Sequence, residues 1–108
     1  MAIDATIVSP GRLRILTALA LEQPQEFVAL RRRTELTDGN LATHARRLSE
    51  AGLIVMQKMV RAGRVVTHFA LTAAGRSALE AHARELLMAV SGEREAETVS
   101  ATDEGWVD

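Results

Sequence analysis

Cationic side chains are concentrated in the middle of the chain. Residues 31–68 contain eight basic side chains and three acidic ones, which gives this segment a net charge of +5. The basic residues are Arg31, Arg32, Arg33, Arg46, Arg47, Lys58, Arg61 and Arg64. Guanidinium groups donate paired hydrogen bonds to phosphate oxygens, so this cluster predicts a surface that binds a polyanion.

The charge of the whole chain, −1 over 108 residues, conceals this segregation. Residues 1–91 carry 12 basic and 8 acidic side chains, whereas residues 92–108 carry one arginine and six acids. The last segment is rich in Glu, Ala, Ser, Thr and Asp and has no hydrophobic period, which is typical of disorder. We therefore expect one folded domain over 1–91 and an acidic, disordered tail over 92–108.

Hydrophobic spacing and helix caps predict three helices in the first half of the chain. Ser9-Pro10 is typical of a helix start, and apolar residues at helical spacing continue to about Leu21. A second short helix fits Glu26 to about Arg33. The third helix follows a Thr37 cap and ends before Gly52, a residue suited to the left-handed conformation found after helices.

The second half changes from strand to helix periodicity. Residues 53–60 and 65–71 are rich in β-branched and apolar side chains and flank Arg61-Ala62-Gly63-Arg64, which predicts a two-stranded hairpin with Gly63 in its turn. Thr72 is the predicted N-cap of a last helix from Ala73 to about Val90. The predicted fold class is mostly α with a small β-hairpin.

The third helix has one apolar and one polar side. Leu41, Ala45 and Leu48 fall within a narrow stripe at 100° per residue, which predicts that they are buried. The opposite side carries Asn40, Thr43 and Arg47, and His44 and Arg46 lie near its edges. This helix can therefore present hydrogen-bonding side chains to a partner while its other side packs on the core.

Several function classes are excluded by composition. The absence of Cys removes disulfide scaffolds and thiolate chemistry, and no apolar stretch approaches the ~18 residues of a membrane span. No glycine-rich phosphate loop, paired carboxylates or Ser/His/Asp set indicates an enzyme. His82 and Glu85 lie one helical turn apart, but two residues do not make a metal site. We expect a cytoplasmic protein without cofactor or metal.

Four segments, in order over about 80 residues, resemble the winged-helix transcriptional regulators of the broad MarR/ArsR-like group of prokaryotic repressors. Residues 9–16 resemble the family's first helix, and residues 36–44 resemble the entry to its recognition helix. Residues 48–54 resemble the exit from that helix into the wing, and residues 71–76 resemble the Leu-Thr-x-x-Gly start of the next helix. Ala45 departs from the pattern, since the family usually has a larger apolar residue there.

The resemblance implies a winged helix-turn-helix that binds double-stranded DNA, with the third helix in the major groove and the hairpin, or wing, against the backbone or minor groove. Asn40, Thr43 and Arg47 are then expected to contact base edges, because amide, hydroxyl and guanidinium groups match the donors and acceptors found there. Contacts to the DNA backbone or from the wing are expected from Thr37, His44, Arg46, Arg61, Arg64, Arg32 and Arg33, with Arg31 beside the last two.

The resemblance also implies a homodimer, and the last helix has more apolar residues than so small a domain needs. Its expected interface residues are Leu79, Ala83, Leu86, Leu87 and Val90. An alternative function is a winged-helix module that binds another protein and no DNA. The sequence does not identify an effector. Docking on a partner is a role open to Trp106 in the acidic tail.

Overall fold

The computed structural model describes residues 9–103, with side chains described for residues 9–92. The chain forms α1 (Pro10–Leu21), β1 (Gln25–Glu26), α2 (Phe27–Thr34), α3 (Asp38–Glu50), β2 (Ile54–Arg61), β3 (Arg64–Leu71) and α4 (Ala73–Asp103). The predicted class, helices with a small hairpin, is confirmed. None of the helices in the described part of the chain is both long and apolar enough to span a membrane.

The core lies between the first three helices and the sheet. Ile15, Leu16 and Leu19 of α1 meet the fully buried Leu30 of α2 and the α3 stripe. That stripe, Leu41, Ala45 and Leu48, is buried as predicted. Leu53, Ile54 and Phe69 close the core from the hairpin side, and Phe27 of α2 is half-buried against it. Each element thus contributes one apolar side, and the opposite side of α3 stays exposed.

The sheet has a third strand that the sequence did not predict. β1 pairs antiparallel with β3 through Gln25–Phe69 and Glu26–His68, in the strand order β1-β3-β2. Glu26, predicted to begin the second helix, therefore belongs to a strand. A two-residue strand has no detectable period. Its buried Gln25 is held by hydrogen bonds from Nε2 to the carbonyl oxygens of Ala18 (2.9 Å) and Glu22 (2.7 Å).

α4 is longer than expected. The predicted end at about Val90 is wrong, because the helix continues through Gly92 to Asp103. Glutamate, alanine and arginine favour helix, so this segment can propagate one without an apolar stripe. The expected disordered tail is therefore corrected over residues 92–103. The rest of that tail, with Trp106, lies outside the described residues, and the domain boundary at residue 91 stays a prediction.

Two backbone segments, the exit from α3 and the entry to α4, are locked together. Thr72 donates its hydroxyl to the Gly52 carbonyl (2.7 Å) and its N–H to the Leu53 carbonyl (3.1 Å). The same hydroxyl accepts the N–H of Gly75 at 2.9 Å, which confirms the predicted Thr72 cap. This junction holds the wing and α4 in a fixed position behind α3.

Candidate nucleic-acid interface

The entry to α3 is set by local hydrogen bonds. Thr37 Oγ1 accepts the N–H of Asn40 (3.1 Å), as an N-cap residue does, so the predicted cap is confirmed. Between α2 and α3 the chain turns at Glu35, which has a φ of 61°, and its N–H donates to the Arg31 carbonyl at 2.8 Å. Leu36 packs on the core. α2, this short turn and α3 form a helix-turn-helix.

The structure brings the three expected base-contacting residues together on the exposed side of α3. Asn40, Thr43 and Arg47 are all exposed, and their spacing of three and four residues places them along one side of the helix. Arg46 is exposed beside them, whereas Thr37, expected to bind phosphate, already uses its hydroxyl in the cap. The exposed side of α3 carries no apolar side chain larger than alanine.

The three arginines at the end of α2 do not form one free cationic patch. Arg31 pairs with Asp38 (Nε–Oδ1, 2.9 Å) and thereby joins α2 to the first turn of α3. Arg33 pairs with Glu22 (Nη2–Oε1, 2.8 Å). Arg32 is exposed and has no ion pair with the side chains described here, so it is the member of this triplet available to DNA without breaking a contact.

The two wing arginines also differ in their surroundings. They face each other where β2 and β3 meet, joined by Ala62 and Gly63, which both have positive φ (54° and 76°). Arg61 folds back along the outer face of the sheet and pairs with Glu26, whose Oε2 is also 3.5 Å from His68 Nε2. Arg64 is exposed and pairs with no carboxylate among residues 9–92. To contact DNA, Arg61 must therefore break its ion pair with Glu26 and bind a phosphate instead.

His44 lies between two helices, although the sequence predicted a phosphate contact for it. Its half-buried ring packs on Gly11, and its Nδ1 is 3.4 Å from Arg12 Nη1. Burial, Arg12 and Arg47, in that order, lower the pKa of His44 below its ordinary value of 6.5. The imidazole is thus neutral at pH 7. A phosphate contact from His44 stays a prediction.

The lowered pKa gives a testable pH dependence of stability. Below pH 6.5 the unfolded chain binds a proton at His44 more readily than the folded chain does. We expect the free energy of unfolding to be highest above pH 6.5 and to fall as the pH drops from 6.5 toward the lower pKa of the folded state. Urea titrations across this range measure it.

His44→Gln should remove this part of the pH dependence. Arg12→Ala should weaken it without abolishing it, because burial is the larger cause. Identical pH profiles for the wild type and His44→Gln would show that the folded protein does not disfavour the charged imidazole.

Arg12 is a neighbour of α3 that the sequence did not predict. It lies on α1, 32 residues before His44, and no local pattern connects the two positions. Gly11 carries the only signal, a glycine inside a helical segment. A glycine there permits close approach between backbones or to a ring.

The residues expected to form a dimer interface divide into two groups. Leu79 packs against the core of its own chain. Ala83, Leu86, Leu87 and Val90 are exposed, with Leu86 at 54% and Val90 at 47%. The apolar stripe of α4 therefore begins in contact with the core at Leu79 and continues as exposed side chains toward Val90.

His82 and Glu85 have no third metal-ligating residue near them within the described part of the chain.

Comparison with known proteins agrees with this architecture. The model of the winged helix DNA-binding domain family matches residues 12–90. The uncharacterized protein MJ0432 of Methanocaldococcus jannaschii is 38% identical over 76 residues, 70% of this chain and 83% of that protein.

Among solved structures, a transcriptional regulator homologue from Pyrococcus horikoshii OT3 has a TM-score of 0.75 and 28% identity, over 81% of this chain and 86% of the other. A MarR-family protein from Enterococcus faecalis V583, described as a regulator, shares the fold with a TM-score of 0.69 at 18% identity, over 89% of this chain and 84% of the other. The match to a DNA-binding family agrees with the expectation that the chain is not an enzyme. The chain belongs to the winged helix DNA-binding domain family.

Proposed function

We propose that the protein is a sequence-specific regulator of transcription that binds double-stranded DNA as a homodimer. In this proposal α3 lies in the major groove, and the wing, residues 53–71, lies against the adjacent backbone or minor groove. The observation that carries it is the exposed row of Asn40, Thr43 and Arg47 on a helix whose other side is buried. The row spans about 10 Å along the helix axis, the length of roughly three base pairs.

The distribution of charge supports phosphate contacts around this row. Arg32, Arg46 and Arg64 are exposed and make no ion pair with a side chain among residues 9–92. Arg61 adds a cation that is now held by Glu26. Such residues position a protein on DNA without reading its sequence, whereas the α3 row meets base edges. A protein-docking role would call for apolar side chains on the exposed side of α3, where the largest apolar side chain is an alanine.

Selection of bound fragments from a random duplex library tests the proposal directly. We expect enriched fragments to share two half-sites in inverted orientation about one helical turn apart, because two α3 helices of a symmetric dimer meet the groove on one side of the duplex. Affinity for DNA should fall steeply between ~50 and ~200 mM salt, because arginine side chains that bind phosphates release counterions and this release is less favourable at high salt. A library without enrichment, at low salt and micromolar protein, would contradict the proposal.

Arg47→Ala provides the residue-level test. If its guanidinium binds a base edge with two hydrogen bonds, the substitution should cost about 1–3 kcal/mol on an enriched fragment and reduce discrimination at one base pair. Arg84→Ala, which removes one exposed arginine from α4, is the charge-matched control and should leave base preference unchanged. Equal effects of the two substitutions would exclude a specific role for Arg47.

A further inference from the structure

The first turn of α1 packs directly on the recognition helix. A β-carbon added at Gly11 would lie 2.7 Å from Cδ2 and Nε2 of His44, closer than two such atoms can approach. The imidazole of α3 therefore occupies the space above Gly11 that any other residue would fill. This contact fixes where the next side chain of α1, Arg12, emerges relative to α3.

Arg12 reaches across this contact to the imidazole. Its Nη1 is 3.4 Å from Nδ1 of His44, and both side chains are half-buried. A guanidinium only donates hydrogen bonds, so Nδ1 must be the unprotonated, accepting nitrogen. The neutral ring thus orients a cation from α1 beside α3.

A second guanidinium acts on the same ring. Arg47 follows His44 by three residues, so the two lie one above the other on α3. Burial is the largest cause of the lowered pKa of the imidazole, and the positive charges of Arg12 and Arg47 lower it further. Two guanidinium groups from different helices therefore lie beside one imidazole, at the edge of the row formed by Asn40, Thr43 and Arg47 that is proposed to meet DNA.

We propose that Arg12 is a phosphate-binding residue of the DNA interface, supplied by α1 outside the helix-turn-helix and the wing, and that His44 is its positioning residue. This inference rests on the proposed function. The guanidinium donates to phosphate oxygens of the strand that flanks the groove occupied by α3. Such a contact adds affinity for every sequence and fixes the depth of α3, and it carries no base preference.

Arg12→Ala and Arg14→Ala form a matched pair that tests the contact. Both remove one arginine from α1, but Arg14 lies two residues on and directs Nη1 to the Thr34 carbonyl at the end of α2 (3.3 Å). The readout is the slope of log affinity against log salt, from fluorescence anisotropy on a mixed-sequence duplex between ~50 and ~200 mM salt. Arg12→Ala should reduce the slope by about 0.9 for each protomer bound, and Arg14→Ala should leave it unchanged.

Arg12→Lys separates charge from packing. It keeps a cation able to bind phosphate and should restore most of the slope. Thermal midpoints of all variants identify any loss of affinity that is due to unfolding. Equal slopes for Arg12→Ala and Arg14→Ala, with both variants folded, would overturn the proposal.

The positioning role of His44 is tested by a double-mutant cycle. His44→Gln should weaken binding several-fold when Arg12 is present and have little effect when Arg12 is alanine, since its contribution is made through Arg12. Equal effects in both backgrounds would show that His44 does not act through Arg12. A wild type that binds no duplex would refute the proposed function, whereas binding that depends on Arg47 and not on Arg12 would refute this inference alone.

Discussion

Gly75→Ala should be among the most destabilising single substitutions in this protein. A β-carbon at position 75 would lie 2.9 Å from the carbonyl carbon of Leu53, closer still to its oxygen, and 3.0 Å from Cδ1 of Leu71. We expect a loss at the upper end of about 1–3 kcal/mol in the free energy of unfolding, the usual range for overpacking. Thermal denaturation followed by circular dichroism should show a midpoint lower by about 4–8 °C for each kcal/mol.

The size of this effect follows from what Gly75 touches. A flexible side chain could move aside, but the Leu53 carbonyl is fixed because it accepts the N–H of Thr72 at 3.1 Å. Relief of the clash must therefore separate the entry of α4 from the exit of α3. Gly39→Ala is the control for Gly75→Ala. Nothing lies within 4 Å of a β-carbon added at position 39, and alanine favours helix.

Gly39→Ala should leave the midpoint unchanged or raise it slightly. If Gly75→Ala is as stable as the wild type, the close approach of α4 to Leu53 is wrong.

Most of the fold could be predicted because its signals are local. The stripe of Leu41, Ala45 and Leu48 and the caps at Thr37 and Thr72 each depend on residues within a few positions of one another. β1 could not be predicted, because two residues become a strand only through their pairing with β3, over 40 residues away. The length of α4 was predicted wrongly for another reason. Disorder after Gly92 was inferred from composition, whereas the helix propensity of these residues is sufficient to continue the helix.

The sequence predicts which residues form the candidate site, but it does not predict which of their charges are held in ion pairs. The polar side of α3 follows from helical periodicity, which places Arg47 correctly. Charge counting treated all eight cations of residues 31–68 alike, but Arg31, Arg33 and Arg61 are paired with Asp38, Glu22 and Glu26. Glu22 and Glu26 lie outside that segment, so the count assigned it more free charge than it has. Tertiary contacts thus decide which cations can bind a phosphate at no cost.

Leu86→Asp should convert the proposed homodimer into monomers while the winged helix stays folded. Leu86 is 54% exposed in the single chain, and Val90, one turn further on, is 47% exposed. Burial of one leucine is worth about 1.5–3 kcal/mol, and a symmetric interface loses that contribution twice and must also bury two carboxylates. We therefore expect the dimer dissociation constant to rise by a factor of about 100 or more. Sedimentation velocity at micromolar concentration measures the change.

Met88→Asp is the control that gives this prediction its specificity. Met88 is 72% exposed and lies about 200° from Leu86 around α4, so it introduces the same charge on the opposite side of the same helix. It should leave the dimer intact, and both variants should keep the helical circular dichroism spectrum of the folded domain below the melting transition. Dissociation by both substitutions would show that the interface is not confined to the Leu86 side of α4. A wild type that sediments as a monomer at micromolar concentration would refute the assignment of α4 as a dimer interface.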